Sequence, residues 1–216
     1  MDINLNKIGK RYRFEWIFKN LTFQFQHNQQ YAILGANGSG KSTLLKILSG
    51  HLTPSKGEIT FNHNGIIDID DLYKQVSYAA PYMDLIEELT LTEMITFHEK
   101  FKPFLKSFNG NDILELTGLG QSKNKPLSYF SSGMKQRVKL ALSICSESSL
   151  ILLDEPTTNL DKQGVAWYRD LIKEFGRNRT LIIASNIEQD YDFCTHQLNI
   201  MEFKPVPGKG KRRLSK

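Results

Sequence analysis

The sequence predicts an α/β fold, a mixed sheet with flanking helices built around a phosphate-binding loop. Three observations predict it. Short apolar runs and amphipathic runs alternate along 216 residues. The stretch Gly35-Ala36-Asn37-Gly38-Ser39-Gly40-Lys41-Ser42-Thr43 follows one apolar run and opens an amphipathic one. A third run, Leu150-Ile151-Leu152-Leu153, delivers Asp154 and Glu155 at its end. The length fits one domain, expected over residues 1–207, with a basic tail over 208–216.

Taken in order, the chain through about Phe25 is rich in aromatics, and Phe23 and Phe25 alternate with Gln24 and Gln26 as in a strand. Tyr12 in this stretch is a candidate to stack on a nucleotide base, beside its plainer role as a core or strand-face residue. His27 to Gln30 reads as a turn, and Tyr31-Ala32-Ile33-Leu34 as a buried strand. Leu44 to Leu48 has helical spacing and ends near Gly50. Thr53 to Gly57 is a turn, Glu58 to Phe61 a strand, and Asn62 to Gly65 a second turn. Val76 to Ala80 is a buried strand whose end reaches the site, stopped by Pro81. From Leu89 to about Leu119 the pattern turns helical, broken at Pro103 and Gly110. A further helix puts Met134, Val138, Ala141, Leu142 and Cys145 on one face, so residues from about 85 to 145 form a helical subdomain. Lys162 to Phe175 is amphipathic, with Val165, Tyr168, Leu171, Ile172 and Phe175 on one side. Thr180 to Ala184 is a central strand, and Leu198 to Phe203 is the predicted last one.

Apolar content of 40% supports a real core, and no apolar run approaches the 18 residues of a membrane span. If the protein works at a membrane, a partner must provide the span. Two distant cysteines, Cys145 and Cys194, in apolar or helical contexts point to a reduced, cytosolic setting. The formal net charge is +5, but Lys209, Lys211, Arg212, Arg213 and Lys216 in the tail account for it. The body is therefore near neutral, which argues against a specific nucleic-acid partner. The tail reads as a solubilising end, with contact to anionic lipid as the sharper alternative.

Residue types in the loop follow from chemistry. Gly35, Gly38 and Gly40 let the backbone turn and bring N–H groups against phosphate oxygens. Lys41 brings a mobile charge to the outer phosphates, Ser42 offers a hydroxyl to Mg²⁺, and the helix that starts here adds its positive end. Asn37, Ser39 and Thr43 complete the loop's lining. A buried strand ending in Asp154 can set a carboxylate beside that ion. Glu155 points differently and is placed to polarise a water at a γ-phosphate.

With these residues in view, the chain resembles the nucleotide-binding subunit of the ATP-binding cassette (ABC) family over about residues 5 to 203. Gly35 to Thr43 is similar to the Walker A loop, and Leu150 to Glu155 to the Walker B strand with its catalytic glutamate. Phe130-Ser131-Ser132-Gly133-Met134 resembles a variant of the signature, usually Leu-Ser-Gly-Gly-Gln. Thr158-Asn159-Leu160-Asp161 resembles the D-loop, which makes Asp161 a site residue. The resemblance implies a P-loop fold with an N-terminal antiparallel β portion and a helical subdomain. It implies ATP and Mg²⁺ as ligands and a head-to-tail dimer, with a second copy or a related ATPase subunit. In that dimer Ser131 and Gly133, with Ser132 and Met134 beside them, face Lys41 and Ser42 of the other subunit across each γ-phosphate.

The sequence departs from the family pattern twice. Pro81, with no side-chain oxygen for Mg²⁺ or water, stands where a glutamine is usual, with Tyr82 or a water chain as candidates for partial compensation, and Asn186, after Ile183-Ala184-Ser185, stands where a histidine is usual. Asn186 can hydrogen-bond a phosphate oxygen but carries no imidazolium charge. His196 comes ten residues later and reads as a surface residue. These departures imply slow or partner-dependent hydrolysis, with an ATP-gated switch as the competing class. With no second cassette, coiled coil or fused membrane region in the sequence, the expected role is a separate transporter subunit. Such a subunit would sit on the cytoplasmic face of the membrane against integral membrane partners. Its small size resembles compact exporter subunits; a soluble, non-transport cassette is the alternative.

Overall fold

Strands β1 (Asp2–Tyr12) and β2 (Glu15–Phe25) form a long antiparallel hairpin, extended by β4 (Lys56–Asn62) and β5 (Ile66–Ile67) in the order β2-β1-β4-β5. The computed structural model describes residues 1–106 and 108–205; the basic tail lies outside them. The second sheet is parallel throughout and has five strands. Its order is β6 (Val76–Ala79), β7 (Leu150–Asp154), β8 (Thr180–Ala184), β3 (Gln30–Leu34) and β9 (His196–Asn199). Antiparallel and parallel strands are thus divided between two sheets.

The parallel sheet is buried on both faces, and the residues of β7 alternate between them. Ile151 and Leu153 join a core formed with α3 (Leu91–Phe101), α4 (Gly110–Thr117), α5 (Ser132–Ile144) and α6 (Lys162–Phe175). Leu150 and Leu152 join a core formed with α1 (Lys41–Leu48) and the inner face of the antiparallel sheet. Each such leucine is fully buried, a burial that stabilises by roughly 2 kcal/mol. Continuous apolar strands are what a two-faced parallel sheet requires.

The helices begin where local chemistry lets them. On α3, the Thr90 hydroxyl accepts from the Glu93 N–H while Glu93 reaches back to the Thr90 N–H, a capping box. Asn109 and Asp112 repeat the device on α4, and Pro103 lies in the connection between the two. A short helix, α2 (Leu72–Gln75), leads into β6.

Two expectations change. The N-terminal stretch forms two eleven-residue strands, longer than the alternation around Phe23 suggested. In β1 the inward residues Ile3, Leu5 and Ile8 lose their two-residue period after Leu5, where the register shifts and Lys7 adopts a φ of 49°. The last strand runs from His196 to Asn199, and Ile200–Phe203 is a 3-10 turn. There the Asn199 side chain accepts from the Met201 N–H at 3.1 Å and turns the chain out of the sheet. His196 is exposed on this edge strand, as expected.

Candidate functional site

The loop from Gly35 to Gly40 leaves the C-terminal end of β3, the end at which parallel sheets place ligands. Gly40, with a φ of 104°, is the N-cap of α1, and no side chain caps that helix. A β-carbon on Gly40 would stand 2.4 Å from the Ile17 side chain of β2. The hairpin therefore presses on the loop and admits only glycine there. The first N–H groups of α1 lack a side-chain acceptor at a partly buried helix end, which is what an anion site offers. Ala36, Asn37 and Gly38 are exposed at the mouth, whereas Ser39 and Lys41 are buried.

Lys41 has folded back on the loop, its Nζ donating to the Gly35 carbonyl at 2.8 Å and reaching the Ala36 carbonyl at 3.5 Å. Four buried side-chain polar atoms lack a hydrogen-bond partner among the described residues. Three of them are here: Ser39 Oγ and both carboxylate oxygens of Asp154. Burial pushes the Asp154 carboxyl up from its ordinary range, and the charge of Glu155 adds to this. The Ser42 hydroxyl, Lys41 and Lys46 oppose that rise. Ser42 is thus close to Asp154, though its hydroxyl makes no well-formed hydrogen bond to either oxygen. Two unsatisfied carboxylate oxygens and a neighbouring hydroxyl form a hard, all-oxygen donor set, which fits Mg²⁺.

Glu155 follows directly, with a φ of 45° that swings its side chain away from the strand's alternation. Its own N–H donates to the Ala184 carbonyl at 2.8 Å. The ends of β7 and β8 are in register at Asp154 and Ala184, so Asn186, exposed two residues beyond β8, lies on the same rim. Buried Asp190 ties the two rims together. It accepts from the Thr157 hydroxyl and, at 2.6 Å, from the Ser185 hydroxyl. Burial raises its carboxyl, opposed by those two hydroxyls.

The signature residues stand elsewhere. Ser131 is the N-cap of α5, accepting from the Met134 N–H at 3.2 Å, and Ser131 and Ser132 are exposed. The apolar residues of α5 belong to the core on the opposite sheet face from α1. A β-carbon on Gly133 would meet the Asn159 carbonyl at 2.8 Å, so the signature packs on the segment after β7 in its own chain. Asp161 there caps α6 through the Gly164 N–H at 2.7 Å. Gln136 on α5 donates to the Pro156 carbonyl at 2.8 Å.

The chain thus gathers Gly35 to Thr43, Asp154, Glu155 and Asn186 at one end of the parallel sheet, and leaves Ser131 and Ser132 exposed with Gly133 and Met134 partly buried beside them. Tyr12 lies at the end of β1, 49% exposed, with Lys10 5.5 Å from its ring. Its connection to the loop runs through the hairpin that carries Ile17.

Sequence reasoning missed two features and half of a third, naming Tyr82 without Tyr78. Ser39 read as lining, yet its hydroxyl is an orphan. Asp190 sits in the run Glu188-Gln189-Asp190, where nothing marks it from its exposed neighbours. The third is a tyrosine pair. Tyr78 at the end of β6 and Tyr82 join hydroxyls, and Lys46 Nζ stands 4.0 Å from the centre of the Tyr82 ring. A proline followed by an aromatic after a strand was the available signal.

Known proteins share much of this sequence and fold. The family model described as ABC transporter matches residues 18–158. The uncharacterized ABC transporter ATP-binding protein YybJ of Bacillus subtilis is 33% identical over 195 residues, covering 87% of each chain. The lantibiotic transport ATP-binding protein SrtF of Streptococcus pyogenes is 31% identical over 191 residues, covering 86% of this chain and 80% of that one. Among solved structures, the post-hydrolysis dimer of the ATP-binding cassette MJ0796 with ADP and Pi superposes with a TM-score of 0.80. That match has 22% identity and covers 91% of this chain and 93% of the other, a likeness of fold.

Proposed function

This chain belongs to the ABC transporter family, and we propose that it is the ATP-binding and hydrolysing subunit that powers transport through separate membrane-spanning partners. The observation that carries this reading is the cluster of buried, unpartnered polar atoms around a lysine bonded to its own loop. Leaving two carboxylate oxygens buried without donors is costly, and a bound nucleotide with its metal satisfies them.

In this reading Lys41 exchanges the Gly35 carbonyl for the outer phosphates of ATP. The N–H groups at the start of α1 take the remaining phosphate charge. Asp154 and Ser42 hold Mg²⁺, which when bound neutralises charge on the phosphate oxygens. Glu155, held off the strand by its backbone, polarises the attacking water. Glutamate is a weak base, with an ordinary pKa of about 4.3, so its contribution comes from position. Asn186 donates to a γ-phosphate oxygen from the segment after β8, and Tyr12 stacks on the base.

Ser131 and Ser132, which are exposed, and the partly buried Gly133 and Met134 beside them serve the nucleotide held by a second copy or a related ATPase subunit. ATP then closes a head-to-tail dimer, and hydrolysis removes the bridge. No described helix is long and apolar enough to cross a membrane. Relatives named as transport ATP-binding proteins support integral membrane subunits as partners and a working place on the cytoplasmic face. The helical block between residues 85 and 145 is the side offered to them. Export is the weakly favoured direction, and the choice of substrate belongs to that partner.

The test is ATP turnover by the purified protein, alone and with its membrane partner, before and after Glu155→Gln. Hydrolysis should fall about 10²- to 10³-fold, and the ATP-bound dimer should persist longer in light scattering. Turnover that is absent in the wild type, with a dimer that forms nonetheless, would favour the ATP-gated switch. Turnover unaffected by the substitution would remove Glu155 from the mechanism.

A further inference from the structure

The chain leaves β6 through a tight turn. The Met83 N–H donates to the Ala80 carbonyl at 3.1 Å, with Pro81 and Tyr82 at the two central positions. Proline at the first central position fixes the backbone angle such turns need. The turn folds Tyr82 back along β6, so that its hydroxyl meets that of Tyr78, four residues earlier. Two neighbours locate the pair. The Tyr82 ring lies against Lys46 Nζ at 4.0 Å, and Lys46 is four residues after Ser42 on α1, on the same helix face. Tyr78 precedes the end of β6 by one residue, beside the β7 residues that lead to Asp154. Both phenols feel the Asp154 charge.

We propose that Tyr82, held by Tyr78 and by the Pro81 turn, is a positioning residue for the metal side of the phosphate site. Its hydroxyl orients water next to Asp154 and Ser42. A neutral phenol both donates and accepts, so it can bridge a metal-held water and the Tyr78 hydroxyl. Pro81 brings no donor of its own; its part is to bend the chain so that the next side chain reaches in. The turn is also tied outward. Lys139 on α5 reaches the Ala80 carbonyl at 3.4 Å and the Pro81 carbonyl at 3.5 Å, so the helix that carries the signature touches the turn that carries Tyr82.

This inference rests on the ATPase reading, and its test separates the two. Mn²⁺ serves as the probe, with its binding to protein saturated with a non-hydrolysable ATP analogue followed by electron paramagnetic resonance. Tyr82→Phe keeps the ring on Lys46 and removes only the hydroxyl. It should weaken Mn²⁺ binding about three- to tenfold, the effect of one hydrogen bond, and leave nucleotide affinity measured in EDTA within about twofold. Pro81→Gly, which keeps both phenols and frees the turn, should move Mn²⁺ affinity the same way. Unchanged Mn²⁺ affinity in Tyr82→Phe overturns the tyrosine assignment while the ATPase reading stands. A wild type with no nucleotide-dependent Mn²⁺ site overturns both.

Discussion

Two helices in this chain start from loops rich in glycine and serine, and they are finished in opposite ways. The start of α1 has no side-chain cap, holds its lysine buried, and lies beside three unpartnered buried polar atoms. The start of α5 is capped by its own Ser131 hydroxyl and is exposed. Unpaired N–H groups are tolerable in water and expensive when covered. The first helix end is therefore built for an anion the chain lacks, whereas the second is stable as it stands. The contrast fits the proposed division between a site assembled within one chain and a surface that serves a second subunit.

The comparison breaks most visibly under paired substitutions. Lys41→Ala should weaken ATP binding about 100-fold, the loss of charge-assisted contacts worth roughly 2–3 kcal/mol. Ser131→Arg should leave monomer binding within about twofold and abolish the ATP-dependent dimer. Calorimetry and light scattering read the two quantities separately. Equal effects of both changes on monomer binding would erase the distinction between the two ends.

Acid sharpens the comparison, because a titrating group lies under the helical side. His98 on α3 is stacked at 5.6 Å on Phe104, bonded to Ser146 Oγ at 2.8 Å, and pushed down to about 4 by burial, with Lys102 adding to the effect. The folded state thus holds fewer protons than the unfolded chain between pH 6.5 and about 4. Stability should be full above pH 6.5 and fall by about 3 kcal/mol on descending through that window. Denaturant midpoints measured at pH 7 and pH 4.5 check this, and His98→Gln, which keeps a partner for Ser146, should lessen the drop. A drop of the same size in that variant would assign the effect to other groups.

The smallest expected effect is at the rim. Asn186→His adds a chargeable donor at the end of β8 and should raise turnover about fivefold, the gain of about 1 kcal/mol from charging one hydrogen bond. Steady-state ATPase assays decide it. An unchanged rate would place the limit at the Pro81–Tyr82 turn or in the partner.

How much of this was legible in the sequence depended on whether one residue's environment followed from its neighbours. The helix over Lys162–Phe175 and the strand over Thr180–Ala184 were read at the bounds they have, because one amphipathic period and one apolar run fix them. The loop and the Asp154–Glu155 pair were legible because phosphate chemistry dictates residue types at fixed spacing. The extent of β1 was not, since its bulges interrupt the period on which strand reading relies. Tyr78 and Asp190 were not, since each acts through a partner on a different segment. Pro81 read as a missing side chain, and the structure shows a turn.

Among the described residues, eight that are not glycine have a positive φ, and five of these are asparagines: Asn20, Asn28, Asn64, Asn159 and Asn178. Asparagine tolerates that conformation best among the rest, and where shape alone decides, this chain uses it. Glu155 occupies the same backbone region at a cost of about 1–2 kcal/mol. Laboratory evolution for heat resistance alone should therefore drift this position toward asparagine or glycine and, if Glu155 has the role proposed above, yield sturdier, idle proteins. Only a screen that demands turnover would keep the glutamate.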